Sequence, residues 1–484
     1  MSRSQIIYAT GFNAFSQLCI DTKEDIRTFQ PLSLPPECTA DAEPEILYAC
    51  WSTTLVTNAR RNAIWGLGHQ SLEQDVTALS RNPKAPCSIA PGGVIGDHDG
   101  LIGALNDRGG VMWVRAGTGV NEGAQSTSAV PAHQRKRKCL TYFPRQDRPS
   151  LRWIVAAGNG KVVAICRPSQ PEPNQTPQTS EDECHIAEYM DVEHFKNWYE
   201  TPSLHPWNNP LPVKDVHEAD SDGAVSDFDH QSHVNAKRHV NSPGVNGISS
   251  ELPVKSIEIK IDASNQHVKS THRAGASSAD LEQQAQTFTV SGTPKQLVAN
   301  TGNFFLLTRA GEVHSWGDPR HQTLGRPIAE SPADQPGIIE VLQGLRITKL
   351  ASGGWTSAAL SEDGALYLWG AASMPGHKDA GIKCLREADA GEMVLVEIPG
   401  DDGEPADVLD VAVGEGHVAV VTAHAGGNRL YVVGQNRNGQ LGLGSDQAFL
   451  EDWVEVDVMR GLERVVCGPK CTFAVRPSDS KAIS

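Results

Sequence analysis

Short runs of this 484-residue sequence return at intervals of about 50 residues, and what returns is the spacing rather than the side chains. "LVANTGNFFLLTRAGEVHSWG" spans 297–317, "KLASGGWTSAALSEDGALYLWG" spans 349–370, and "DVAVGEGHVAVVTAHAGGNRLYVVG" spans 410–434. Each reads as a strand of small residues, a glycine turn, an apolar strand, a polar turn, and an alternating strand that ends in glycine. The alternation in "ALYLWG" and "RLYVVG" has period two, so one face of each strand is buried. "ACWSTTLVTNARRNAIWG" (49–66) fits the same template, with Trp51 and Trp65 spaced like Trp355 and Trp369. Gly66, Gly317, Gly370 and Gly434 then mark strand ends where reversal needs a positive φ or leaves no room for a Cβ.

Weaker copies lie at 94–114 and 151–165. "ERVVCGPKCTFAV" (463–475) is a first half without a second, and "IIYATGFNAFSQL" (6–18) is a second half without a first. Joined, they make a complete unit, for a total of seven. Units of this length with complementary ends predict a closed ring of four-stranded blades, because radial stacking buries faces that a single blade leaves exposed. The expected fold is therefore an all-β, seven-bladed propeller closed by half-repeats. Val465, Val466 and Phe473 should meet the strand of Ile6, Ile7 and Tyr8. The domain expectation is propeller at 1–168 and 295–484, interrupted by an insert at 169–294.

Composition agrees. The 45 glycines and 30 prolines favour turns and short strands, and no apolar run is long enough for a membrane helix. The start, "MSRSQIIYATGF", reads as a strand rather than a signal peptide. Ten cysteines are scattered without a framework or a zinc-ribbon pair, which predicts reduced thiols in the nucleus or cytoplasm. The formal charge is −16, and residues 169–294 hold 19 Asp/Glu against 8 Lys/Arg, a difference of −11. Direct nucleic-acid binding through a basic face is disfavoured on that balance.

The segments "GGWTSAALSEDGALYLWG" and "LYVVGQNRNGQLGLG" resemble the repeats of the regulator of chromosome condensation family, whose members are seven-bladed propellers. The glycines of the second segment, Gly434, Gly439, Gly442 and Gly444, carry its most specific signature. The resemblance is strong over 295–376 and 407–476, and the segment order is similar to the small RCC-domain-containing proteins that act as binding subunits and to the alpha-tubulin-suppressor branch. It implies a protein-binding scaffold or regulatory subunit linked to chromatin, the cytoskeleton or tRNA modification and translation. The founding member's guanine-nucleotide exchange on a Ran-like GTPase is the alternative. That activity goes with a "GxxH" pattern early in the repeats. Here His417 in "GEGH" is its one match, with Ser52, Lys161, Asn303, Thr356 and Cys471 elsewhere.

Inside the insert, "RPSQPEPNQTPQTSEDE" is too polar and Pro-rich to build a core, so 169–190 should be dispensable and cut first by proteases. "DVEHFKNWYETPSLHPW" concentrates Phe195, Trp198, Tyr199 and Trp207, which should dock on the protein's own blade or, alternatively, on a partner. "KSIEIKID" (255–262) alternates like a half-buried strand and could complete the fourth blade.

Candidate chemistry is sparse. His230, His233 and His239 with Asp227 and Asp229 offer zinc-type ligands, but the stretch is polar and reads as a solvated loop. Asp97, His98 and Asp99 fit a general base or, more simply, an Asp-Gly turn. "GQNRNGQLGLG" leads into no helix and is no phosphate cradle. "HQRKRK" (133–138) is a solvated loop, an import signal or a contact for an acidic partner. No serine-nucleophile elbow is present. The sequence thus predicts no catalytic residue, no metal and no cofactor. It predicts a monomeric propeller that binds a protein, not nucleic acid or membrane, through turn residues at one end: Trp51, Trp355, Glu415 and His417; the alternative for the two tryptophans is packing between adjacent blades.

Overall fold

The computed structural model describes residues 5–34, 43–69, 73–75, 88–97, 100–116, 138–141, 150–166, 183–201, 285–372, 381–389, 391–401 and 403–477. Its strands in chain order begin with β1 (Gln5–Gly11) and β2 (Ile26–Pro31). Next come β3 (Pro44–Ala49), β4 (Thr53–Asn58), β5 (Ala63–Gly68) and β6 (Glu73–Asp75). A long middle group follows: β7 (Ile89–Asp97), β8 (Gly100–Asn106), β9 (Val111–Ala116), β10 (Lys138–Thr141), β11 (Leu151–Ala156), β12 (Val162–Cys166), β13 (Glu183–Tyr189) and β14 (Gln286–Ser291). The later repeats give β15 (Pro294–Ala299), β16 (Asn303–Thr308), β17 (Val313–Gly317), β18 (Gly337–Ile338), β19 (Ile347–Gly353), β20 (Thr356–Ser361), β21 (Leu366–Gly370) and β22 (Val394–Val396). The chain ends with β23 (Val408–Val413), β24 (His417–Thr422), β25 (Arg429–Gln435), β26 (Phe449–Arg460), β27 (Arg464–Gly468) and β28 (Cys471–Pro477).

These strands form an all-β propeller. The expectation of seven separate blades is corrected: five blades of four strands stand alone, and the strands between them form one eight-stranded sheet, β10-β9-β8-β7-β11-β12-β13-β14. The two halves of that sheet meet at a single parallel pairing, Ile154 with Gly93. The leading strands touch in a closed cycle, from β3 through β7, β11, β15, β19, β23 and β27 back to β3. The half-repeats share one sheet, ordered β2-β1-β28-β27. Ile7 lies opposite Val475, Tyr8 opposite Ala474, and Val466 opposite Phe473.

The core lies between blades rather than at one centre. Val411, Val418 and Val433 pack with Ala358, Leu366 and Leu368 of the preceding blade. Ile7 and Phe473 pack with Val56 and Trp65 of the next. Apolar residues on both faces of each sheet explain why the second strands are almost continuously buried, as in "TSAALS" and "HVAVVT".

Five blades end their third strand, or its counterpart, on a positive-φ glycine: Gly11, Gly68, Gly317, Gly370 and Gly434. A Cβ on each would overlap a turn carbonyl, respectively that of Lys470, Ser52, Gly302, Trp355 and Gly416. The strand-end glycine of the second blade is therefore Gly68. Gly66 sits within β5 opposite Leu55 and does not hold that role. The shared Trp51–Trp65 spacing linked positions that are not equivalent, because Trp369 faces Ser357 whereas Trp65 faces Val56. Gly439, Gly442 and Gly444 all have positive φ and press on β2 of the adjoining blade, against Arg27, Phe29 and Thr28.

The insert contributes to the fold at both ends. β13 and β14 complete the eight-stranded sheet, so the expectation that all of 169–190 is dispensable fails at Glu183–Tyr189. Helix α1 (Val192–Glu200) starts at Asp191, whose side chain accepts from His194 N. Its Phe195, Trp198 and Tyr199 are buried beside Tyr189 and Trp113, and the Tyr199 hydroxyl accepts from Val111 N at 3.0 Å. Of the two docking places expected, the protein's own sheet holds Phe195, Trp198 and Tyr199. Trp207, residues 255–262, the histidines at 230, 233 and 239 with Asp227 and Asp229, and positions 98–99 and 133–137 lie outside the described residues.

Candidate functional site: the axial turns

In the five separate blades a tight turn joins the leading strand to the second, and such turns in neighbouring sheets lie against one another. Backbone hydrogen bonds run between these turns: Gly158 N to Asn300 O at 2.9 Å, Thr301 N to Gly354 O at 3.0 Å, and Glu415 N to Pro469 O at 3.0 Å. Small residues are required because the turns crowd together. A Cβ on Gly353 would press on the carbonyls of Val413 and Gly414. Residues that do project at this end are therefore held against neighbouring blades.

Trp51 follows Cys50 in the β3–β4 turn and is 37% exposed. Its ring lies edge-on to Phe12, with centroids 6.3 Å apart, and Lys470 Nζ sits 4.0 Å from its centroid. That ammonium–indole contact is a cation–π pair. Burial pushes the Glu415 carboxyl above the usual carboxylate range, while Trp51 and the Lys470 ammonium beside it act in the opposite direction. Three blades thus contribute one residue each to a single cluster of Trp51, Glu415 and Lys470. Phe15, 46% exposed, extends it through Phe12 to His69.

Trp355, half-buried, lies in the β19–β20 turn and belongs to a second group. The Arg320 guanidinium carbon lies 5.7 Å from its ring centroid, and the His321 ring meets it at 5.3 Å and 68°. Asp318 fixes that arginine: Arg320 Nε donates to both carboxylate oxygens at 3.0 and 2.8 Å, and Nη2 donates to Oδ2 at 2.5 Å. These hydrogen bonds hold the Asp318 carboxyl below its ordinary value. Each tryptophan therefore carries a cation over its ring, and at Trp355 Asp318 fixes that cation.

His417 differs from the other sequence-predicted contacts. It is fully buried, its Nε2 lies 3.1 Å from Thr472 Oγ1, and burial lowers its pKa to about 4. A side chain without exposed surface cannot meet a partner, which corrects its inclusion among the contact residues. The strand-end glycines fix its equivalents as Thr53, Asn303, Thr356 and Cys471, each paired with one of those glycines. All four are buried, so Thr53, not Ser52, is the matching residue in the second blade. This position is a crowded polar site between blades.

Sequence reasoning missed Lys470, Arg320 and the Asp318 brace. Their only signal was a polar residue in a turn, and the tryptophans they contact are supplied by a different blade. Asp97 ends β7, where its Oδ1 accepts from Gly100 N, as an Asp-Gly turn does. Among the described residues no three metal-ligating side chains gather, and no helix is long and apolar enough to cross a membrane.

No family model matches the chain. It is 35% identical over 210 residues to the mouse "RCC1 domain-containing protein 1", an alignment covering 37% of this chain and 54% of that protein. It is 30% identical over 168 residues to the human "Regulator of chromosome condensation", covering 34% and 35%. The chain spans about half the length of the first of these curated relatives. Among solved structures, Prp20p from Saccharomyces cerevisiae, described with its binding to Gsp1p and histones, aligns over 100% of this chain and 94% of its own. The TM-score is 0.52 at 13% identity. Human WBSCR16 aligns over 99% and 100%, with the same TM-score and identity. At that identity the likeness concerns the fold.

Proposed function

We propose that this chain, related by sequence to the RCC-type repeat proteins and sharing their propeller fold, is a non-enzymatic scaffold or regulatory subunit that binds a protein partner through its axial turns. The observation that carries this reading is the pair of cation-capped tryptophans. Trp51 and Trp355 sit in turns, where the blade core does not need them, and both are partly exposed and held in place. Aromatic residues on rigid turns are the kind that anchor partners. Glu415 belongs to the same surface through Trp51. We count the eight-stranded sheet as two blades, which makes a ring of seven and sets these turns around one axis. The support is its division into two groups of four strands joined by one parallel pairing. The partner's identity assigns the chain to a chromatin, cytoskeletal or translation-linked role, in nucleus or cytoplasm.

Nucleotide exchange on a Ran-like GTPase is the second reading, favoured by the alignment with the human regulator of chromosome condensation. It is placed second because His417 is the only histidine at its level in these blades and is buried. A fluorescent-nucleotide release assay with a Ran-type GTPase separates the two. The binding reading expects no acceleration at micromolar protein. A concentration-dependent acceleration would put exchange first.

A further inference from the structure

Of the exposed charged groups, Arg320 is held by far more than a surface arginine needs. Its side chain is 72% exposed, yet three hydrogen bonds to Asp318 and the face of Trp355 fix it. An exposed ion pair contributes little to stability, so this ordering has no evident structural return. The backbone beneath is also unusual. His321 and Gln322 both take left-handed φ, 57° and 54°, although neither is glycine. Gln322 stands five residues after Gly317, where Gly439 stands after Gly434 and Ser16 after Gly11. His321 is a second left-handed residue that the other two turns lack. The turn is tied down from below by Thr323, which is fully buried. Its hydroxyl reaches the carbonyls of Asp318 and Arg320 and accepts from Asn303 Nδ2. Consecutive left-handed residues of this kind persist only where surrounding structure holds them, and they cluster at recognition sites.

We propose that the Pro319–Gln322 turn with Trp355 is a preorganised carboxylate-binding site, which takes an Asp or Glu side chain of the protein partner. The charge pattern selects that occupant. Pro319, Arg320, His321 and Gln322 are exposed together. Asp318, the nearby anion, has both oxygens engaged by Arg320. Arg320 spends Nε and Nη2 on Asp318, which leaves Nη1 without a partner among the described residues. The Trp355 indole N–H is likewise without an acceptor there. A fixed guanidinium edge matches a carboxylate, and an arginine already ordered loses less freedom on binding.

The inference rests on the axial-turn reading of function, and its test is independent of any partner. The full chain is titrated with the peptide acetyl-Ala-Glu-Asp-Ala-amide and with its neutral isostere acetyl-Ala-Gln-Asn-Ala-amide. The readouts are the nitrogen-correlated NMR signals of the Trp355 indole and the Arg320 Nε–H, assigned with Trp355→Phe and Arg320→Gln. The expected result is a saturable shift of both signals with the acidic peptide only, weakened severalfold by raising salt from about 0.05 to 0.3 M. Arg320→Gln should abolish the Trp355 shift at unchanged melting temperature. Asp318→Asn adds positive charge but frees the arginine, so the site as proposed binds more weakly by about threefold or more. Three results would overturn the proposal: no shift at about 10 mM peptide, equal shifts with both peptides, or tighter binding by Asp318→Asn. If the peptide fails while Trp355→Ala still abolishes recovery of the protein partner, the carboxylate site falls and the binding face stands.

Discussion

The blade of residues 347–396 and the eight-stranded sheet of residues 89–291 are built from similar strands, yet they hold their edges differently. The regular blade is locked by a glycine: Gly370 takes a φ of 104° and leaves no room for a Cβ beside the Trp355 carbonyl. In the large sheet the close approach lies inside β7, where a Cβ on Gly92 would overlap the Trp153 ring beside the Gly93–Ile154 pairing, and the described ends of β9 and β13 are Ala116 and Tyr189 rather than such a glycine. Instead α1 lays Phe195, Trp198 and Tyr199 against Tyr189, with Trp113 behind them. The buried Glu188 links Lys161 Nζ at 2.6 Å to Trp316 Nε1 at 3.0 Å. At the end of β13, side-chain packing stands where the regular blade has its strand-end glycine. A glycine joint tolerates no Cβ, whereas an aromatic joint tolerates sequence drift but needs volume.

The largest difference should appear when that volume is removed. Phe195→Ala empties a fully buried site and should cost about 3–5 kcal/mol in denaturant unfolding. Hydrogen exchange should show the loss concentrated in 183–200 rather than in 347–370. Uniform loss across both regions would mean that the aromatic group is not a local joint. Gly370→Ala tests the other mechanism and should cost roughly 2–4 kcal/mol, because φ is unsuitable and the Cβ overlaps backbone. Gly403→Ala has a comparable φ of 87° with nothing near its Cβ, and should cost only about 1 kcal/mol. Equal losses at the two glycines would remove the carbonyl contact from the explanation.

A smaller effect concerns pH. The folded value of His417 lies near 4, below the ordinary 6.5, so the unfolded chain takes up a proton first on acidification. Its contribution is complete above about pH 6.5 and is lost as pH falls towards 4, which amounts to roughly 2 kcal/mol between pH 7 and 5. His417→Asn should remove that part of the pH dependence, measured as the difference between the two unfolding curves. An unchanged slope would mean that this histidine is not buried in its neutral form.

The same contrast explains what the sequence disclosed. Turn glycines and period-two alternation made the later blades readable, and half-repeats at 6–18 and 463–475 predicted the shared sheet that β1 and β28 form. Gly66 was mistaken for Gly68 because the turn before β5 shifts the register while leaving two tryptophans at a familiar spacing. β13 was hidden because "ECHIAEY" directly follows acidic, Pro-rich chain and pairs with β14, almost a hundred residues later. At the candidate site, Trp51, Trp355 and Glu415 were legible as turn residues, whereas Lys470 and Arg320 depend on contacts between blades. His417 looked like a surface group because sequence records level in the repeat but not depth.

Recovery of protein partners by the Trp51→Ala/Trp355→Ala double variant, set beside its melting temperature, tests the central claim most directly. Affinity purification with quantitative mass spectrometry should show specific partners of the wild-type chain reduced by about tenfold or more, with unfolding still cooperative and shifted by only a few degrees. Full recovery of the same partners by the folded variant would contradict the account.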